Sequence, residues 1–344
     1  MTNNIKFALG FSILALTFSS CKKDSEITKE TEDYKGLIVV NEGGFNKSNG
    51  SLGVYKPGTK TYFDAFKKAN DRPLGDVVQS IAEMNGKLYI VVNNSNKIEV
   101  INKSDFKSVT SISSTSPRFM VNIGNNKAVL SNLYDNSVKI VDLNTNAISA
   151  QVNINHWSDA LSVLDSVTYI ATLDNKVMLL NNKKQSLMDS VSTATGLSKV
   201  VNLGPDNLAF LCTGLIDWNS GNTLENGTIQ IYNSDSGKIT LSVPLSGAGY
   251  GGSMVYDASA AAVYFNLGNN VIQKMTLAGL ISTYITLPSG VSVYGLSIDT
   301  IGNLYVTDAG NFNSAGKVYV YNSAGTKTNE FSAGIAPSAV WVND

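Results

Sequence analysis

The segment GKLYIVVNNSNKIEVIN, residues 86–102, decides the fold of this chain. Two stretches of alternating apolar residues flank the Asn-rich turn NNSN (93–96). Alternation with a period of two is typical of strands, and Asn is a preferred turn residue. The segment is therefore predicted to form an antiparallel hairpin with one face in a core.

The same pattern recurs on both sides of this segment. Two stretches align with it without gaps, at 126–142 and 165–181. Further copies occur at 35–44 with 50–56, 206–214 with 227–233, 261–276, and 302–310 with 316–322. Seven copies, mostly ~40 residues apart, predict an all-β fold, a seven-bladed β-propeller with four strands in each blade.

Each copy supplies two strands of a blade, and its flanks supply the others. A third, exposed strand follows each hairpin, as at 106–112 and 147–154. A short apolar inner strand precedes the second to seventh copies, at 77–84, 118–124, 159–165, 198–204, 252–258 and 294–300. Because the first copy has none, we expect PSAVWVND (337–344) to pair with blade 1 and close the ring, which removes an open sheet edge.

The N-terminus is predicted to be a lipoprotein signal peptide, residues 1–20. Its apolar run FALGFSILALTF (7–18) is too short to span a bilayer comfortably. Small residues precede Cys21, which resembles a bacterial lipobox with Phe18 in place of the usual Leu. This pattern implies lipidation of Cys21, and the alternative is an ordinary secretory signal with a chance cysteine.

A charged segment follows the predicted lipidation site. Residues 21–34 are expected to be a lipidated flexible tether, since KKDSEITKETED (22–33) cannot pack into a core. The propeller then occupies residues 35–344. CKKDSE (21–26) resembles the surface-export signals of some Gram-negative bacteria, so we expect a lipid-anchored outer-membrane protein exposed at the cell surface.

Composition argues against several classes of function. The 344 residues carry a net charge of −1, which is not the electrostatic footprint of nucleic-acid binding. The single histidine, His156, cannot form a multi-histidine zinc site, and no metal or cofactor is expected. No G-x-S-x-G motif accompanies it, so we expect no enzyme activity. Cys212, in the apolar run 208–212, is predicted to be a buried free thiol.

Function is expected on one face of the propeller. The loops between the second and third strands and the loops that lead into the inner strands share that face, and rigid scaffolds carry function on loops. These loops are longest at 42–50, 66–76, 213–227 and 308–316. Exposed aromatics among Asn, Gly and Asp suit a large, amphipathic, uncharged ligand, although any single aromatic could be ordinary loop packing. The residues expected near this mouth are Phe45, Arg72, Arg118, Tyr134, His156, Trp157, Trp218, Tyr250, Tyr294 and Phe312.

Several segments between residues 35 and 125 resemble a known family of propellers. They are NEGGF (41–45), GSLGVY (50–55), RPLGDVVQS (72–80), residues 86–102 and PRFM (117–120). They resemble the BtuG-like surface lipoproteins, DUF5074-type members of the broader YncE-like propellers that capture vitamin B12. The resemblance implies a protein that binds cobalamin on one propeller face and delivers it to a TonB-dependent outer-membrane transporter. The positions that match the family are Asn41, Glu42, Phe45, Arg72, Asn93, Asn94, Ser95 and Arg118.

Three classes of function stay open on the sequence alone. The first is a corrinoid-binding lipoprotein that works with a TonB-dependent receptor. The second binds a siderophore, haem, glycan or protein partner on the same face. The third is a propeller enzyme of the lactonase or quinoprotein type, which would need acidic metal ligands that converge on the channel.

Overall fold

The structure is a computed structural model that describes Met1 and residues 34–343. The predicted signal peptide, the predicted lipidation site Cys21, the predicted tether up to residue 33, and Asp344 lie outside the described residues. Apart from the short helix α1 (Ala65–Asn70), the regular elements of the described part are strands. The all-β prediction is therefore confirmed.

The strands follow the sequence repeat. In chain order they are β1 (Gly36–Asn41), β2 (Ser51–Lys56), β3 (Thr61–Asp64), β4 (Val78–Met84), β5 (Lys87–Val92), β6 (Lys97–Asn102), β7 (Ser108–Ser113), β8 (Pro117–Gly124), β9 (Lys127–Asn132), β10 (Ser137–Asp142), β11 (Ala147–Asn153), β12 (Ser158–Leu164), β13 (Val167–Thr172), β14 (Lys176–Asn181), β15 (Ser186–Ser192), β16 (Leu197–Asn202), β17 (Asn207–Cys212), β18 (Leu215–Ile216), β19 (Thr223–Glu225), β20 (Thr228–Asn233), β21 (Lys238–Pro244), β22 (Ser253–Asp257), β23 (Ala262–Asn266), β24 (Val271–Thr276), β25 (Ile281–Thr286), β26 (Val293–Ile298), β27 (Leu304–Asp308), β28 (Ala315–Tyr321), β29 (Lys327–Ile335) and β30 (Pro337–Asn343).

These strands form seven four-stranded antiparallel blades. From the channel outward, blade 1 has the order β30-β1-β2-β3, and blades 2, 3 and 4 contain β4 to β7, β8 to β11, and β12 to β15. Blade 5 has the order β16-β17-β20-β21, and blades 6 and 7 contain β22 to β25 and β26 to β29. The strands β18 and β19 form a separate hairpin within a loop of blade 5. The seven-bladed propeller predicted from the repeat is confirmed.

Blade 1 is closed by the C-terminal strand, as the sequence predicted. In the antiparallel pair of β30 with β1, Val340 lies opposite Val39 and Asn343 opposite Gly36. Across the adjoining seam, the rings of Tyr55 in blade 1 and Phe331 in blade 7 stack with centroids 3.7 Å apart. Pairing β30 with β1 gives blade 1 its fourth strand and covers the edge of β1 that would otherwise be open.

The core lies between the blades. Each apolar cluster combines neighbouring sheets: Val100 of blade 2 packs in one cluster with Leu130 of blade 3, and Tyr169 of blade 4 packs with Phe210 of blade 5. Full burial of one large apolar side chain stabilises a fold by roughly 1.5–3 kcal/mol. The alternating apolar residues of each hairpin therefore pack one blade against the next.

The inner strands carry two features that shape the channel. Pairing shifts register near the start of most of them, for example between Val78 and Ser80 in β4. Such bulges re-aim side chains. Hydroxyls then link inner strands of successive blades: Ser80 Oγ donates to the Arg118 carbonyl at 2.7 Å, and Ser297 Oγ accepts from the Val340 amide at 2.9 Å.

Two local features differ from the sequence reading. The loop 66–76 contains most of helix α1, which Asp64 caps by accepting a hydrogen bond from the Lys67 amide at 3.1 Å. Tyr34, assigned to the tether from sequence, is buried and stacks on Phe106 with centroids 4.5 Å apart. The packed core therefore begins at Tyr34, directly after the charged segment 22–33.

Candidate functional site

Six predicted aromatic residues meet in pairs on the face that carries the long loops. Each pair is edge to face, which is a favoured geometry for aromatic rings. The pairs, with centroid separations, are Tyr134 with Trp157 (5.0 Å), Trp218 with Tyr250 (4.9 Å) and Tyr294 with Phe312 (5.1 Å). We refer to the surface formed by these six residues as the aromatic face.

The aromatic face is largely open to solvent. Trp218 and Tyr250 keep 73% and 74% of their surface exposed, and Tyr134 keeps 64%. Phe45, in the loop of blade 1 between β1 and β2, is 69% exposed and has no aromatic partner among the described residues. Large apolar rings exposed together mark interaction surfaces, whereas single exposed apolar residues are ordinary.

Two of these aromatics stand on a strained backbone. Tyr134 and Phe312 both have a φ of +61°, the left-handed region that residues other than Gly and Asn rarely occupy. Both lie in loops between the second and third strands of their blades. Strain of this kind, at a cost of roughly 1–2 kcal/mol, concentrates at binding and active sites.

The Trp218 hairpin is fixed by its own turn. The Asp217 carboxylate accepts hydrogen bonds from the Ser220 hydroxyl at 2.6 Å and from the Asn219 amide at 3.0 Å. These bonds hold the pKa of Asp217 below its usual value. The Gly221 amide closes the turn on the Asp217 carbonyl at 2.7 Å, so Trp218 projects from an ordered loop.

Charged side chains occupy the channel beside the aromatic face. Arg118 of blade 3 donates from Nε to Asp159 Oδ1 of blade 4 at 2.9 Å and from Nη2 to Oδ2 at 3.2 Å. Its Nη1 donates to Gln79 Oε1 of blade 2. A bidentate arginine–carboxylate pair has nearly ideal geometry, so Arg118 and Asp159 largely neutralise each other.

Lys199 reaches across the channel. Its Nζ lies 5.6 Å from the ring centroid of Phe119, and the Arg118 guanidinium lies 5.9 Å from that ring. Because Lys199 belongs to blade 5 and Phe119 to blade 3, this contact bridges blade 4. Burial lowers the pKa of Lys199, against the opposing effect of the nearby Asp159 and Glu42 carboxylates, and the charge on Arg118 adds to the lowering.

Glu42 and Tyr294 form a second polar pair at the mouth. The Tyr294 hydroxyl donates to Glu42 Oε2 at 2.7 Å, which joins blade 7 to blade 1. Burial raises the pKa of Glu42, and burial together with the Glu42 charge raises that of Tyr294. Arg118 and Tyr250 also act electrostatically on Tyr294. The charged residues and the aromatic face therefore belong to one mouth.

Asn41, expected to bind ligand, is a structural residue. It is fully buried, and its Nδ2 donates to Tyr62 Oη at 2.9 Å and to Ser51 Oγ at 3.1 Å. Its Oδ1 accepts from the Gly334 amide of blade 7 at 2.9 Å. The prediction for Asn41 is wrong because the side chain presents no surface and instead fastens the seam between blades 1 and 7.

Arg72 is committed to a neighbouring blade. Its guanidinium donates to Glu99 Oε1 at 2.6 Å and to Ser108 Oγ at 3.1 Å, and it lies over the Phe66 ring at 4.8 Å. Burial opposes ionisation of Glu99, but the hydrogen bonds that it accepts hold its pKa below the usual value. Arg72 therefore anchors the loop that contains α1 to blade 2.

The NNS turn predicted to contact ligand is also internally bonded. Asn93 Nδ2 donates to the Pro117 carbonyl at 2.9 Å, and Asn94 Nδ2 donates to Asp76 Oδ2 at 2.7 Å. Ser95 Oγ accepts from the Asp76 amide at 2.9 Å. These bonds make the turn a rigid support between blades 1, 2 and 3.

His156 and Cys212 are two further reactive side chains among the described residues. His156 Nδ1 lies 2.8 Å from Asp174 Oδ2, beside the pair of Tyr134 with Trp157. Cys212 is a buried free thiol, as predicted, and burial raises its pKa to about 11. Within residues 34–343 no group of three or more His, Cys, Asp or Glu side chains could hold a metal, and no helix is long and apolar enough to cross a membrane.

Sequence reasoning missed part of the channel. Gln79, Phe119, Asp159 and Lys199 lie at or near the starts of inner strands, as Arg118 and Tyr294 do. Part of the signal was present in the sequence, because Asp159 and Lys199 are charged residues at the first and second positions of the inner-strand segments 159–165 and 198–204. Alternation of polar and apolar residues assigns such polar side chains to the solvent-exposed face of a strand. In a propeller, however, the inner strands border a channel, so these side chains can line it.

Comparison with known proteins places the chain in a family. The family model described as a domain of unknown function, DUF5074, matches residues 35–333. This match confirms the DUF5074-type part of the resemblance seen in the sequence. No curated protein matches the chain.

Solved structures share the architecture at low identity. A quinoprotein alcohol dehydrogenase-like protein from Bacteroides thetaiotaomicron has a TM-score of 0.69 and 17% identity, over 90% of this chain and 79% of that one. The Pan2 WD40 domain of Neurospora crassa has a TM-score of 0.59 and 13% identity, over 80% and 86%. Hydrazine synthase of Kuenenia stuttgartiensis has a TM-score of 0.58 and 13% identity, over 69% and 74%. These similarities concern the fold alone.

Proposed function

This chain belongs to the DUF5074 family, and from that premise we propose that it is a non-enzymatic binding protein that captures a large nutrient, a cobalamin or another corrinoid, on its aromatic face. The observation that carries the proposal is the set of three edge-to-face pairs around the channel mouth, in which every ring except the partly buried Tyr294 is exposed. Neighbouring loops hold both members of each pair in place, so the rings offer contact area that is already ordered.

The chemistry of a corrinoid suits this surface. Its macrocycle is broad and apolar on its faces, and amide side chains surround its rim. Tyr and Trp rings supply large contact area with few rotatable bonds, and their polar atoms can bond to amides. The exposed Asn and Ser residues of the loop 308–316 supply further donors and acceptors next to Phe312.

The proposal includes a location and a partner. Lipidation at Cys21 would hold the protein at the outer membrane, with the propeller exposed at the cell surface. There it would pass its ligand to a TonB-dependent transporter. Support for these steps comes from the lipobox-like segment before Cys21, the run CKKDSE (21–26) and the resemblance of residues 35–125 to BtuG-like lipoproteins.

Calorimetric titration with cyanocobalamin tests the proposal. Trp218→Ala is expected to weaken binding by roughly 10- to 100-fold, as for the loss of an exposed aromatic anchor. Ile301→Ala is the matched control, because Ile301 is 74% exposed in a loop of the opposite face. Absence of binding to the wild-type chain, or equal losses in both variants, would refute the proposal. Binding of a siderophore, haem or glycan instead would reassign the ligand of the same face.

A further inference from the structure

We propose that Lys199 is the centre of an anion subsite in the channel mouth, which receives a phosphate or carboxylate group of the bound ligand. The inference deepens the proposed function and rests on it for the identity of the ligand. Under this proposal the channel mouth binds an anionic group, whereas the aromatic face binds the apolar body of the ligand.

The first support is the position of Lys199. Its ammonium group crosses from blade 5 to the Phe119 ring of blade 3, so it lies within the channel and not on the outer surface. Among the described residues it forms no hydrogen bond or salt bridge. Other partly buried lysines do: Lys97 contacts Glu99 at 2.6 Å, and Lys139 contacts Asp135 at 2.8 Å.

The second support is the charge balance around Lys199. Arg118 engages both carboxylate oxygens of Asp159, and Glu42 accepts a hydrogen bond from Tyr294. Both carboxylates act on Lys199 through space and raise its pKa, but each makes its direct contact with another residue. Lys199 is therefore the cation of this mouth that lacks a direct partner among the described residues.

The third support is energetic. A partly desolvated ammonium without a partner is costly, and burial lowers the pKa of Lys199 accordingly. An anionic group that reached it would form a charge-assisted hydrogen bond and restore its charge. The Arg118 guanidinium, 5.9 Å from the centroid of the same ring, adds positive potential. The aromatic face would thus hold the apolar body of a ligand while Lys199 holds an anionic arm.

Two corrinoids separate this subsite from the rest of the site. Cyanocobalamin carries a phosphodiester in its nucleotide arm, and cobinamide lacks that group. Lys199→Met keeps the aliphatic stem and removes the charge. It is expected to weaken cyanocobalamin binding about tenfold or more, with less than about a twofold effect on cobinamide. Lys274→Met is the matched control, because Lys274 also lies over a ring, that of Tyr264 at 5.7 Å, but on a middle strand of blade 6.

A second measurement needs no corrinoid. Lysines carrying ¹³C-methyl groups are followed by NMR, with the Lys199 signal assigned from its absence in Lys199→Met. Inorganic phosphate is expected to raise the pKa of Lys199 and to leave the Lys274 signal in place. Equal losses for the two corrinoids in Lys199→Met would overturn the subsite. If the wild-type chain bound neither corrinoid, the proposed function would fall, and the phosphate titration would decide the subsite alone: a selective shift at Lys199 supports it, and no shift overturns it.

Discussion

The indole of Trp218 meets the phenol ring of Tyr250 edge to face, with centroids 4.9 Å apart, although strands β20 and β21 of blade 5 separate the two residues along the chain. Trp218 belongs to the hairpin of β18 and β19, which lies in the loop between β17 and β20 of blade 5. Tyr250 belongs to the loop that leads into blade 6. Because each ring positions the other, the two residues should act as one unit in binding.

A double-mutant cycle tests this coupling. Trp218→Ala and Tyr250→Ala are each expected to weaken cyanocobalamin binding by roughly 10-fold or more. The double variant should lose less than the product of the two effects, since each single change already frees the remaining ring. Calorimetry measures all four affinities, and strictly multiplicative losses would show that the rings act independently.

Deleting residues 215–226 should impair binding without unfolding the propeller. The segment carries β18, β19 and Trp218, and most of it is exposed. Thr213 and Gly227, which remain, form the base of the loop. We expect affinity for cyanocobalamin to fall as far as in Trp218→Ala while the melting temperature stays nearly unchanged. A large fall in melting temperature would instead give the hairpin a structural role.

Asn41→Ala should destabilise the ring at its seam. The change removes the hydrogen bonds of Asn41 to the Gly334 amide, the Tyr62 hydroxyl and the Ser51 hydroxyl, while the Gly334 amide keeps its bond to Tyr62 Oη at 3.0 Å. Each lost hydrogen bond costs about 0.5–1.5 kcal/mol, so we expect the free energy of unfolding to fall by about 2–4 kcal/mol in urea titrations. Asn329→Ala removes a single bond to Tyr55 Oη at the same seam and should cost about 1 kcal/mol. Similar losses in both variants would contradict the seam role of Asn41.

Glu42→Gln should stabilise the protein at neutral pH. Burial raises the folded-state pKa of Glu42 above its ordinary value of 4.5, so the neutral form is favoured and stability is lost as pH rises through that raised pKa. Gln is neutral at every pH and can still accept the bond from Tyr294. Each unit of raised pKa corresponds to about 1.4 kcal/mol. In urea titrations the variant should exceed wild type at neutral pH and converge with it below pH 4.5, whereas Glu83→Gln, at the exposed pair with Lys103, should show no such trend.

Cys212 should resist modification in the folded protein. Its thiol is buried, and burial raises its pKa to about 11, so the reactive thiolate is scarce at neutral pH. With Cys21→Ser removing the other cysteine, a chromogenic thiol reagent should detect no thiol in the native chain. One thiol should react fully in guanidinium chloride. Rapid native reaction would show that blade 5 opens readily.

Much of the fold could be predicted because the relevant physics is local. The alternation in residues 86–102 sets a hairpin, and its repetition sets the number of blades. Ring closure followed from one missing strand, which the segment 337–344 could supply. The aromatic residues could also be named, since loop positions in a repeat identify the face that they share. Helix α1 could not be predicted from the sequence because a helix of six residues is too short to show a helical period of apolar residues.

By itself, then, the sequence determined the seven-bladed architecture, its closure and the residues of the aromatic face. Only the tertiary structure decided how those residues are used. It buried Asn41 and paired Arg72 with Glu99, so that both residues hold neighbouring blades together, and it brought Lys199 of blade 5 to the Phe119 ring of blade 3. The physical reason is that strand patterning depends on neighbours along the chain, whereas these contacts depend on how far each blade rotates about a common axis.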